Sequence, residues 1–212
     1  MVFPSPDPLW VLELIKVIIM FALWALLLIR WLRADRHFYT DIPFLFAWGF
    51  FILACAESFD VVFHSELIPV PMDLITYKIR AGLTASSLVF FLFPTAQIWI
   101  SENRLAPPLL SVIYLILIQA VIVIAPDANI LLILVMPFML VVYIGFTASF
   151  FLAWLWKRLP DVHGLVMSLG GTVTIIGQIS KIILPVLYAE ILEVSGLLIL
   201  WLGLVIKPGY AR

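Results

Sequence analysis

Residues 43–64 read PFLFAWGFFILACAESFDVVFH, an apolar stretch that carries two carboxylates, Glu57 and Asp60, and ends on His64. A helix of this length crosses the hydrocarbon core of a bilayer, which is about 30 Å thick and takes roughly 20 apolar residues. Each charge inside such a span costs about 2.5 kcal/mol or more unless it is paired or wetted. The stretch therefore raises two questions: what solvates the chain, and what solvates its carboxylates.

Composition answers the first. Of 212 residues, 65% are hydrophobic and only 12% are charged, with a mean hydropathy of +1.19. Soluble domains carry about a quarter charged residues, so a water-facing surface cannot be built from this sequence and lipid is its main solvent. A formal net charge of −1 and the lack of clustered Lys and Arg exclude nucleic acid as a partner, because phosphate binding draws on such clusters. Cys55 is the single cysteine and sits in an apolar run, as a small buried hydrophobe does. The opening MVFPSPDPLW lacks the basic region of a secretory signal, so no cleaved leader is expected. No repeat or Gly/Ser-rich linker divides the chain, and residues 1–212 read as a single membrane domain.

Apolar runs separated by Pro- or charge-marked breaks predict an all-α, multi-pass bundle of seven transmembrane helices over about 10–31, 43–64, 77–100, 108–125, 129–156, 164–188 and 191–206. Lys and Arg favour cytoplasmic loops. The first loop holds Arg30, Arg33 and Arg36, the fifth Lys157 and Arg158, and the C-terminal segment Lys207 and Arg212. Asp7, Glu66, Asp73, Asp127, Glu190 and Glu193 fall on the other side, with Lys78 and Arg80 as exceptions. The expectation is a cell-membrane protein with its N-terminus outside and its C-terminus cytoplasmic.

The charges inside the spans answer the second question. Glu57, Asp60 and His64 lie at i, i+3 and i+7, on one helical face; Arg80, Thr84 and Ser87, at i, i+4 and i+7, share a face of the third span. Thr174, Gln178 and Lys181 share a face of the sixth, and Glu13 and Lys16 a face of the first. Given the alternating directions of the spans, these residues fall at one depth, near the outside. Glu13, Glu57 and Asp60 balance Lys16, Arg80 and Lys181. The pattern predicts an outward-facing polar cavity with Glu57, Asp60, His64, Arg80, Thr84, Gln178 and Lys181 as ligand-binding residues and Glu13 and Lys16 as supporting ion pairs. The fourth and fifth spans, without such charges, are expected to face lipid or a partner.

Pro94, Pro137 and Pro185 are placed inside the third, fifth and sixth spans, where each frees a carbonyl four residues earlier, that of Lys181 included. Gly164, Ser168 and Thr172, with Gly170, Gly171 and Gly177, predict close packing of the sixth helix. Glu57, Asp60 and His64 could face one metal, but such trios are common without one, and neither metal nor cofactor is assigned. The motifs G-x-S-x-G, H-E-x-x-H and G-x-x-x-x-G-K-[ST] are absent, which argues against an enzyme. Lys181 lies in the sixth span rather than the last and Gly177 stands four residues before it, so the retinal-binding pattern of microbial rhodopsins is not matched. Two functions remain. One is a receptor-like sensor or transporter-like module for a small polar or charged ligand, a sensor passing its signal to a cytoplasmic protein. The other is a non-catalytic subunit of a larger membrane complex, held by partner membrane subunits.

Overall fold

The computed structural model describes residues 8–34, 38, 41–65, 73–100, 103, 105–157, 162–181 and 183–206. They form seven helices: α1 (Pro8–Leu32), α2 (Ile42–His64), α3 (Leu74–Trp99), α4 (Ala106–Ile124), α5 (Ala128–Leu155), α6 (Gly164–Ser180) and α7 (Val186–Val205). Among the described residues there is no strand. Six helices are long and apolar enough to cross a membrane; α6, with 17 residues, is shorter. At 1.5 Å per residue α6 extends about 25 Å.

Local chemistry sets the helix starts. Asp73 caps α3 by accepting hydrogen bonds from the Thr76 hydroxyl (2.7 Å) and N–H (2.8 Å), and Asp127 caps α5 by accepting from the Ile130 N–H at 2.9 Å. The Thr76 hydroxyl, and then its N–H, holds the Asp73 carboxyl below the usual aspartate range. Prolines open α2 and α4, where a missing N–H costs nothing. Pro94 and Pro137 do lie inside α3 and α5.

Pro185 does not. Instead of kinking one long sixth helix, it stands at the N-cap of α7, after α6 has ended at Ser180. The sixth span is thus shorter than 164–188, the seventh begins before 191, and the Lys181 carbonyl is not one freed by a mid-helix kink. The Ser180 carbonyl accepts instead from the N–H groups of Ile183 (3.0 Å) and Leu184 (2.7 Å), closing the α6–α7 turn. As a result Glu190, expected in the connection between the sixth and seventh spans, and Glu193, expected at the outer start of the seventh, lie inside α7 and are buried.

Neighbour relations define a ring in the order α1, α2, α3, α5, α6, α7 and back to α1. α4 is outside it, packed on α3 and more lightly on α5. Gln119 of α4 donates to the Gly82 carbonyl of α3 at 3.1 Å, which fixes that contact. The α6–α7 pair is the most extensive and is built on absent side chains. A Cβ on Gly170 would lie 2.6 Å from the Leu200 nitrogen and 2.8 Å from the Gly196 oxygen. Both are backbone atoms that cannot yield. The other side of α6 meets α5 just as closely, since a Cβ on Gly164 would lie 2.6 Å from the Phe150 oxygen. The glycines of the sixth span therefore serve two neighbours.

Gly170→Ala is expected to overpack the α6–α7 seam and cost about 1–3 kcal/mol. Gly145→Ala is the control: its methyl would meet Thr95 Cγ2 at 3.7 Å, and replacing a mid-helix glycine gains about 1 kcal/mol at most. Thermal unfolding in mild detergent checks the pair, and equal effects at both positions would contradict the close approach.

Candidate functional site

Lys16 lies on the face of α1 that meets α2 and α7, and only 1% of its surface is exposed. Its ammonium is 2.6 Å from Glu57 Oε2 of α2, 2.7 Å from Glu190 Oε2 and 3.2 Å from Glu193 Oε2, both of α7. The far oxygens of the two α7 glutamates meet a second ammonium, Lys181 at the end of α6, at 2.8 and 2.7 Å. Glu190 and Glu193, at i and i+3, are thus clamped between two cations. On the other side Arg80 of α3 lies 3.5 Å from Glu57 Oε1 and pairs closely with Asp60. The result is an unbroken chain of charges, Asp60–Arg80–Glu57–Lys16–Glu190/Glu193–Lys181, joining five helices at one end of the ring.

A lysine so deeply buried is tolerated because the geometry repays its desolvation. Isolated charges in a low-dielectric interior cost several kcal/mol each, offset only by close, multiple opposite charges. Lys16 has three carboxylates within 3.2 Å. Arg80 and Lys181 are less deep, with side chains 29% and 27% exposed.

These charges border a cavity of about 340 Å³ inside the ring. Glu57, Arg80, Gln178, Lys181 and Glu193 line one end, with Tyr77, Thr84 and Thr174 close by. Away from that end the wall is apolar, and no α4 residue contributes to it. Phe50, Phe91 and Phe146 form its floor, continued by Phe46 and Phe150. Ring centroids separated by 5.0 Å (Phe50–Phe91), 5.8 Å (Phe91–Phe146) and 4.7 Å (Phe146–Phe150) make this a packed aromatic layer across α2, α3 and α5.

Most residues singled out from the sequence meet here. Glu57, Asp60, Arg80 and Lys181 are in the charge chain, and Thr84 and Gln178 line the cavity. Ser87 instead donates to the Thr84 carbonyl at 2.7 Å, within its own helix. The His64 side chain lies outside the described residues. Glu13 is buried one turn before Lys16. Lys16 itself, expected only to support, sits at the centre.

Two expectations are corrected. The charges are not the expected three against three, because Glu190 and Glu193 join Glu57 in holding Lys16 and together hold Lys181. α5 does not simply face lipid or a partner: Leu131, Val135, Met139, Tyr143 and Phe146 make it a cavity wall. Gln119 of α4 stays outside the ring, bonded to the Gly82 carbonyl at the α3–α4 contact. The sequence did carry a signal for the two missed glutamates, since a proline just ahead of a helix favours a start. Among the described residues no three His, Cys, Asp or Glu side chains are arranged to hold a metal ion. Compared with known protein families, curated proteins and solved structures, the chain matches none of them.

Lys16→Met would leave Glu57, Glu190 and Glu193 without their shared cation, and breaking a buried pair in this way costs about 3–5 kcal/mol. Lys181→Met should cost clearly less, because Lys16 still holds both α7 glutamates. Melting of the two purified variants side by side checks the order, and a milder loss for Lys16→Met would contradict it.

Proposed function

We propose that this chain is a seven-span protein of the cell membrane, with its N-terminus outside, whose cavity binds a small polar or charged molecule as a receptor-like module. The observation that carries the reading is a charge chain bordering a cavity rather than filling it: Glu57, Arg80, Lys181 and Glu193 all line that space. A network serving only to lock helices together has no need of such a space. Gln178 and Thr84 add neutral hydrogen-bonding groups on the same wall. The aromatic floor favours binding without passage, because Phe46, Phe91, Phe146 and Phe150 pack across the ring where a transport route would have to continue. A signal received at the ionic end would leave through the connections around Arg33 and Lys157, at the opposite end of the bundle.

The test is ligand-dependent thermal stability of the purified protein across a panel of polar metabolites. A ligand at 100 times its Kd stabilises by about 2.7 kcal/mol. At least one compound is expected to raise the midpoint, with the effect lost in Lys181→Met. Silence across the panel would remove the reading.

A second reading, a non-catalytic subunit of a larger membrane complex, draws on α4. This helix stands outside the ring and exposes Leu109, Val112, Ile113, Ile116 and Val123 along its free face. A native gel of gently solubilised membranes separates the two readings, since a subunit migrates with fixed companions far above its own 24.0 kDa.

A further inference from the structure

The cavity changes character in the same direction on α2, α3, α6 and α7. Along α2 the wall runs Glu57, Leu53, Phe50; along α7 it runs Glu193, Leu197, Leu200; along α3 it runs Arg80, Thr84, Phe91. On α6 it descends from Lys181 through Gln178 and Thr174 to Gly171. At 1.5 Å per residue these wall segments extend about 10–17 Å. The cavity is therefore deep, ionic at its rim and apolar toward its floor. A small, fully polar solute would occupy only the upper part and leave the apolar wall facing water. With about 340 Å³, the space is at the small end for ligand pockets and suits one chain rather than a bulky lipid.

The polar groups on this wall are of two kinds. Those of the rim hold each other: Lys16, Arg80 and Lys181 each meet two or more carboxylates, and Glu57, Glu190 and Glu193 each meet two cations. A charged ligand group of either sign must compete there with a partner already in place. One turn below, the groups are neutral and uncommitted. The Gln178 carboxamide of α6, one turn before Lys181, and the buried Thr84 hydroxyl of α3, one turn after Arg80, both line the cavity. Neither side chain makes a hydrogen bond among the described residues. Thr174, by contrast, donates to the Gly170 carbonyl at 3.0 Å within its own helix. A carboxamide and a hydroxyl each donate and accept. Left unpaired above an apolar wall, they favour a ligand group that does the same without a charge.

We propose that the occupant is a single-chain amphiphile with a neutral, hydrogen-bonding head, a medium-length alkanamide in its simplest form. Its head lies between Gln178 and Thr84, beneath the ionic rim, and its chain runs past Leu53, Val135 and Leu197 to the phenylalanine floor. This rests on the reading of the cavity as a ligand site and names the chemistry that site takes. Lys181 acts at one remove: its ion pairs with Glu190 and Glu193 hold the turn of α6 that carries Gln178.

The experiment uses the whole protein in lipid nanodiscs, with n-octanamide, n-octylammonium, n-octanoate and acetamide as probes and the thermal midpoint as readout. Octanamide is expected to raise the midpoint, while octylammonium and octanoate leave it in place and acetamide acts only at concentrations at least about tenfold higher. Gln178→Met keeps the length of the side chain, removes its amide and is expected to weaken octanamide by about tenfold. Should that variant not fold, Thr84→Val, which removes only a hydroxyl, carries the comparison in the same direction. Octylammonium or octanoate matching octanamide overturns the neutral head. Acetamide matching octanamide overturns the amphiphile and leaves the polar-ligand reading standing. An octanamide response unchanged in the folded variants overturns the place assigned to its head. Silence of all four probes beside a responding metabolite overturns the amphiphile alone, whereas silence of probes and metabolite panel together removes the underlying reading as well.

Discussion

A single buried ammonium organises this bundle. Lys16 is 1% exposed and touches carboxylates from two other helices, so α1, α2 and α7 cannot separate at that end without leaving charges alone in an apolar interior. In lipid no hydrophobic force draws apolar helices together, and packing and polar contacts must do so instead. The ion chain does this at one end of the ring. The phenylalanine layer of α2, α3 and α5 does it by shape farther down, and the glycine seam of α6 and α7 does it by close backbone approach.

These devices also leave a space. Charges on α2, α3, α6 and α7 hold each other across one end, while the rings of Phe50, Phe91 and Phe146 meet below, and the volume between them is the cavity. The short α6 contributes to this arrangement. Ending at Ser180, it brings Lys181 down to the level of Glu190 and Glu193, one and two turns into α7. A sixth helix continued to residue 188 would have carried that ammonium's partners out of the bundle. The break between Ser180 and Pro185 thus positions Lys181, Glu190 and Glu193.

Much of this was legible in the sequence, for a physical reason. Helices in lipid need long apolar runs, so α1 to α5 lie within a few residues of the segments read from hydropathy. A charge in such a run demands a partner, so Glu57, Asp60, Arg80 and Lys181 declared themselves by type and place. The α6–α7 boundary was less legible, because a proline in a continuous apolar stretch reads equally as a kink or as a start. Misplacing it hid Glu190 and Glu193 as partners of Lys16 and Lys181. The ring order was not legible either. Helices apolar on all sides carry no periodic signal of which face turns inward, so neither the exclusion of α4 nor the recruitment of α5 as a wall could be derived from local pattern. The aromatic floor was hidden likewise, since Phe46, Phe91 and Phe146 are ordinary members of apolar runs until tertiary packing brings them together.

The central claim is that Lys16 and the α7 glutamates are held as one unit. A double-mutant cycle with Lys16→Met and Glu190→Gln, read by reversible unfolding in detergent, tests it most directly. Groups in contact couple by about 0.5–3 kcal/mol, while distant sites add within about 0.5 kcal/mol. The account predicts that the double variant is more stable than the sum of the single losses requires, because Glu190→Gln removes a charge that Lys16→Met leaves exposed to its like-charged neighbours. Simple additivity of the two losses would contradict it.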